Sequence, residues 1–270
     1  MTQTIVMIHG MMAGGWCWEG YKEFFEERGY RCITPNLRFH DMPPDKSPDL
    51  HLGALSLTDY VEDLEDEIGR LDELPVIIGH SLGGLLAQII GSHGLVKALV
   101  LLTPASPRGI LALRPSVIRT FWSAQTKWGF WTKPFRLTFK EMTYSILQLM
   151  PAEEQKKIYD KLVFESGRAV SEVGYWFFDH KRAAEVDEAK VKCPVLVIGA
   201  SQDKATPISV VRKVAKKYGA VSSYKEFTGH SHWIIGEPGW QEVAEYVCSW
   251  LYQALTVLAD NDGYRLNIPL

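Results

Sequence analysis

The chain has 270 residues, 46% hydrophobic and 23% charged, with a formal net charge of −3. That length fits one large domain that buries a full core without disulfides or metals, and the charge balance excludes a global pull toward nucleic acid or an anionic membrane. Cys17, Cys32, Cys193 and Cys248 have no metal-ligand or C-x-x-C spacing, which predicts free thiols and no metal centre.

The N-terminus enters a strand within four residues and lacks the n-region, h-region and cleavage site of a secretory signal, so the expected localisation is cytoplasmic. No apolar run reaches transmembrane length, so no integral membrane association is expected. Oligomeric state is left open between monomer and homodimer.

In chain order, Thr4-Ile5-Val6-Met7-Ile8 reads as a strand that ends on His9-Gly10-Met11-Met12-Ala13-Gly14-Gly15. A helix from near Trp16 through Tyr21, Phe24 and Phe25 leads to Gly29, and Tyr30 to Leu37 reads as the next strand. A proline-rich loop follows. Thr58 to about Leu71 predicts a helix, with Val61, Leu64, Ile68 and Leu71 on one face and six acidic residues from Asp59 to Glu67 on the other.

Val76-Ile77-Ile78-Gly79-His80-Ser81-Leu82-Gly83-Gly84 is a short apolar strand that breaks on G-x-S-x-G and continues as a helix to about Ser92. The spacing matches the nucleophile elbow, a strained strand-to-helix turn that holds Ser81 above a sheet and needs glycine where a Cβ would clash. The strand Lys97 to Leu102 comes next.

From 104 to 191 the alternation stops, and Pro-, aromatic- and charge-rich stretches read as an inserted helical cap. It resumes with the strand from Cys193 to Gly199, a helix from Ile208 to Tyr218, a strand from Val221 to Phe227 and a last helix from Trp240 to about Leu255. The expectation is an α/β fold with a doubly wound, mostly parallel sheet of about six or more strands. Its core is 1–103 with 192–258, the cap is 104–191, and 259–270 is a patternless tail.

These pieces resemble the α/β-hydrolase fold superfamily nearly end to end, in its order of serine, acid, histidine. The His9 to Trp18 stretch is similar to the plant methylesterase and hydroxynitrile lyase branch. The resemblance implies an oxyanion hole from the backbone N–H groups of Met11 and Leu82, and Asp203, after the post-cap strand, as the acid. Phe227-Thr228-Gly229-His230-Ser231-His232-Trp233 offers two bases. Gly229-His230 fits a usual Gly-His pair, whereas counting back from Glu237-Pro238 reaches His232; the reading favours His232, with His230 as the alternative.

A small or medium apolar carboxylic ester, cleaved through an acyl-enzyme without any cofactor, is the expected small-molecule substrate. A C–C hydrolase, a perhydrolase, a lyase or a non-catalytic binding protein are the alternatives. The lyases of the similar branch carry a lysine beside their histidine, and here Ser231 and Trp233 follow the two candidates.

Met12, Trp122, Trp128, Trp131, Trp176 and Trp233 are candidate pocket residues, although a lid that buries aromatics to stay attached reads the same way. Between Pro104 and Lys140 there is no Asp or Glu but seven Lys or Arg. That run reads equally as a solvated face, a partner for the acidic helix, or an attractor for an anionic substrate.

Overall fold

The computed structural model describes residues 2–261. Six strands form one sheet: β1 (Thr4–Ile8), β2 (Arg31–Ile33), β3 (Val76–His80), β4 (Ala98–Leu102), β7 (Val195–Ala200) and β8 (Ser222–Phe227). Their order is β2-β1-β3-β4-β7-β8 and every neighbouring pair is parallel. The principal helices around it are α1 (Glu19–Glu26), α2 (Leu57–Ile68), α3 (Leu82–Ser92), α9 (Ile208–Lys217) and α10 (Trp240–Asn261).

Helices cover both faces, which is why the central strands are apolar throughout. Alternate side chains divide the core. Ile5, Met7, Val76 and Ile78 pack with Phe25 of α1 and Leu251 of α10, while Val6, Ile8 and Ile77 pack with Leu64 of α2, Leu86 of α3 and Val214 of α9. Leaving β1, the chain turns one way to β2 and the other way to β3. That reversal opens a crevice at the carboxyl ends of β1 and β3, where such sheets place their ligands.

Between β4 and β7 lie α4 (Pro115–Thr120), α5 (Trp122–Gln125), α6 (Phe139–Ser145), α7 (Ala152–Lys161) and α8 (Gly167–Gly174). They accompany a two-stranded antiparallel pair, β5 (Pro134–Phe135) and β6 (Glu165–Ser166), which the helical reading of this segment did not anticipate.

Two other boundaries move. β2 stops at Ile33 rather than Leu37, because Pro35 has no N–H to offer a neighbouring strand. α10 continues to Asn261, since Leu255 and Ala259 are buried and Leu258 packs against the same cluster, extending the apolar stripe. The patternless tail expected from Ala259 therefore begins inside a helix, and 262–270 lie outside the described residues. No helix among the described residues is long and apolar enough to cross a membrane.

Candidate active site

Ser81 stands between β3 and α3 with φ 53° and ψ −117°, a conformation that costs on the order of 1–3 kcal/mol and persists only where the surroundings enforce it. Packing around the turn enforces it. A Cβ on Gly79 would strike the Gly83 carbonyl, and one on Gly83 would strike the carbonyls of Ile8 and His9 at the end of β1. The two glycines thus let the elbow close and let the next strand's turn come alongside.

That turn, His9 to Ala13, lies against the elbow: a Cβ on Gly10 would sit 3.0 Å from the Ser81 Cβ and from His80 Nδ1. Ala13 N–H closes it by donating to the Gly10 carbonyl at 3.4 Å, and Met12 is held at φ 62°. Among the described residues, neither Met11 N–H nor Leu82 N–H donates to another backbone or side-chain group.

His232 and Asp203 come to Ser81 from two loops. Ser81 Oγ is 2.9 Å from His232 Nε2, and His232 Nδ1 is 2.8 Å from Asp203 Oδ2. All three residues are buried. A carboxylate facing Nδ1 fixes the proton there, which leaves the Nε2 lone pair toward the serine hydroxyl.

Asp203 is also a turn-capping residue. Its Oδ1 accepts the N–H groups of Ala205 and Thr206 at 2.8 Å each, so one oxygen closes the turn while the other faces the imidazole. Gln202 N–H donates to the His230 carbonyl at 2.9 Å and ties the two loops together.

His230 faces away from the serine. Its Nδ1 is 2.9 Å from Glu237 Oε1, which also accepts the Ser231 N–H at 2.7 Å, while Ser231 Oγ–H donates to the other oxygen. The imidazole braces the loop into α10.

Three residues that motif reading passed over complete the surroundings. His80 Nε2 lies 2.8 Å from the His232 carbonyl, so that nitrogen carries the proton. Burial, reinforced by the neighbouring His232, lowers the His80 pKa to about 3 and keeps this ring neutral. Thr103 Oγ1 reaches the same carbonyl at 3.4 Å, and Thr206 Oγ1 donates to Asp203 Oδ2 at 2.7 Å. Adjacency to Ser81 and the Asp-x-x-Thr spacing were the available signals for His80 and Thr206.

A cavity opens over Ser81 and His232. Met11, Met12 and Trp233 line it from the core, and Val117, Phe121, Phe130, Met142 and Tyr175 from the inserted segment. Among the described residues it has no Asp, Glu, Lys or Arg in its wall.

Four of the expected pocket residues are elsewhere. Around the short helix α5 the inward positions are Phe121, just before it, and Ala124 and Gln125 within it, which turns Trp122 outward, 60% exposed. Trp128 and Trp131 pack edge-to-face on one another at 5.3 Å on the outer surface. Trp176 stacks under the Arg108 guanidinium, 5.2 Å from its ring centre.

Three of the seven basic residues, Arg108, Arg119 and Arg136, are engaged in such contacts. Arg119 lies 3.8 Å over the Tyr144 ring and Arg136 lies 4.4 Å over Tyr159. The acidic helix α2 pairs instead with Arg38 and His93.

The family model for the alpha/beta hydrolase family matches residues 5–246. The chain belongs to that family. A pyrethroid hydrolase of Sphingobium wenxiniae is 33% identical over 94 residues, 34% of this chain and 32% of that protein. Methylesterase 8 of Arabidopsis thaliana is 30% identical over 161 residues, 57% of this chain and 58% of its own. These alignments thus span less than two thirds of either relative. Among solved structures, a pyrethroid hydrolase from Sphingobium faniae superposes with a TM-score of 0.69 at 20% identity, covering 93% of this chain and 97% of the other.

Proposed function

We propose that this hydrolase is a serine esterase for neutral, largely apolar carboxylic esters, with Ser81 as nucleophile, His232 as general base and acid, and Asp203 as the group that orients and balances the imidazole. The observation that carries the reading is the continuous Ser81–His232–Asp203 hydrogen-bond relay at the floor of an uncharged cavity. The ester-hydrolysing names of the relatives support it.

In this mechanism Ser81 Oγ attacks the acyl carbon while its proton passes to His232 Nε2. The charge that develops on the carbonyl oxygen is met by the Met11 and Leu82 N–H groups, the second at the positive end of α3. As the tetrahedral species collapses, the alcohol leaves with the proton from His232. Water then attacks the acyl-enzyme, gives its proton to the same nitrogen, and the acid departs as Ser81 is restored. The imidazolium formed midway faces Asp203, and neutral His80 places no second positive charge beside it.

In this reading residues 104–191 form a cap that supplies the apolar side of the binding site. The four thiols fit a reducing cytoplasm.

A series of p-nitrophenyl esters of increasing acyl length tests the proposal. Turnover of neutral members, lost by roughly 10⁴-fold in Ser81→Ala, is expected. A folded protein that hydrolyses no member of the series contradicts it and favours a binding role on a hydrolase scaffold.

A further inference from the structure

Away from the serine, a fully buried carboxylate grips the turn that carries Met11. Glu165, in β6 of the inserted segment, has four donors around its two oxygens. Tyr60 O–H (2.8 Å) and Ser166 N–H (2.7 Å) reach Oε1, while His40 Nε2 (3.1 Å) and Met12 N–H (3.3 Å) reach Oε2. The other ring nitrogen of His40 faces the Arg38 carbonyl at 3.1 Å. With an oxygen facing each nitrogen, the arrangement suits a doubly protonated His40 paired with the Glu165 carboxylate. Its side chain and that of Glu165 have no exposed surface.

The neighbouring His9 ring, 5.2 Å away, is neutral, because its Nδ1 meets the Gly10 carbonyl while its Nε2 accepts the Leu37 N–H. Burial works against the charge on both His40 and Glu165, and their attraction outweighs it, raising the His40 pKa and lowering that of Glu165. A desolvated pair of this kind is weak evidence for added stability, so its place in the structure asks for another explanation.

Met12 supplies one. Its φ of 62° is the strained step of the turn, and the inserted segment clasps it at both its backbone N–H and its carbonyl. Its N–H goes to Glu165 and its carbonyl accepts the Val163 N–H at 2.9 Å. We infer that the buried Glu165–His40 pair is a positioning device for the oxyanion turn, fastening Met12 to the inserted segment so that the adjacent Met11 N–H keeps its aim at the reacting carbonyl. The inference rests on the esterase reading for its catalytic consequence. Its structural content, a turn held by a buried ion pair, stands apart from that reading.

The test compares Glu165→Gln with Glu172→Gln. Glu172 also ties the inserted segment to the core, through Ser56 Oγ at 2.9 Å and Leu57 N–H at 2.8 Å, but touches no part of the turn. In Glu165→Gln, kcat on a p-nitrophenyl ester falls about 10- to 100-fold with KM within about twofold, less than the roughly 10²–10³-fold loss of an entire oxyanion donor because Val163 still holds Met12. Affinity for an alkyl boronic acid, which forms a tetrahedral adduct on the serine, falls by the same factor. Amide exchange of Met11 to Ala13 quickens. Glu172→Gln lowers Tm but leaves kcat within about twofold.

Unchanged kcat in folded Glu165→Gln, or an equal loss in Glu172→Gln, overturns the inference. If Glu165→Gln does not fold, Tyr60→Phe removes one donor from the carboxylate and lowers kcat about threefold or more, and full activity there overturns it equally. If the parent protein cleaves no ester, the esterase reading fails. The exchange comparison then decides, with faster exchange in Glu165→Gln alone supporting the device and equal exchange overturning it.

Discussion

The His80 and His232 rings lie 4.9 Å apart, and the first holds the backbone of the second, Nε2 to carbonyl at 2.8 Å, while remaining neutral itself. Removing that donor frees the loop that carries His232. In His80→Phe, kcat is expected to fall about 10-fold with little change in KM, the worth of one buried hydrogen bond expressed as lost alignment. His80→Gln, which restores an N–H at similar reach, recovers most of the loss. Steady-state kinetics of the two variants make the comparison, and equal activity in both contradicts the positioning role.

The two histidines of the 230–232 loop have different partners, Glu237 for His230 and Ser81 with Asp203 for His232, and are expected to separate by function. His232→Ala is expected to abolish acylation, a loss of roughly 10⁴-fold or more, because no other imidazole is hydrogen-bonded to Ser81 Oγ among the described residues. His230→Ala leaves Glu237 without one of its partners, so it lowers Tm while kcat/KM stays within a few-fold. Burst kinetics with a p-nitrophenyl ester report acylation directly, and a dead His230→Ala beside an active His232→Ala reverses the assignment.

Among the described residues the cavity wall lacks charge, so on the esterase reading neutral chains are expected to be preferred whatever the basic run on the outside does. An ester whose acyl chain ends in a carboxylate has to leave that group buried and unpaired, or fail to bind. Its kcat/KM is expected to fall at least about 10²-fold below the neutral chain of equal length, as even partial desolvation of an ion costs several kcal/mol. If external Lys and Arg governed substrate choice, the anionic ester would be preferred at low salt and lose that advantage at high salt.

Stability should peak near pH 6.5. Burial lowers His9 and His80 from 6.5 to about 3, so each contributes fully above 6.5 and loses about 1.4 kcal/mol per pH unit as the solution becomes more acid. The raised His40 has the opposite sign, complete below 6.5 and lost as pH rises through its folded value. Glu165 is lowered, so its contribution is complete above 4.5 and lost below. Urea unfolding from pH 5 to 9 measures the sum, and a profile flat between 6.5 and 5 contradicts neutral burial of His9 and His80.

How much of this is legible in the sequence depends on how local the physics is. The sheet was readable because each central strand is an unbroken apolar run, and the elbow because close packing dictates glycine at fixed offsets from Ser81. Asp203 and His232 stood out through chain order and the spacing to Glu237. The tryptophans of the inserted segment misled: aromatic content does not say which ring turns inward, and that changes with a single step along the chain, as Phe121 and Trp122 show. Glu165 and His40 were invisible, since 125 positions separate them and neither lies in a motif. Their partnership exists only after the inserted segment folds back onto the turn.

Labelling with a fluorophosphonate, followed by mass spectrometry of the digested protein, tests the central claim most directly. The account predicts one phosphonyl adduct, on Ser81, that is absent from Ser81→Ala and formed far more slowly in His232→Ala. A folded protein that takes no label, or an adduct on a different serine, contradicts it.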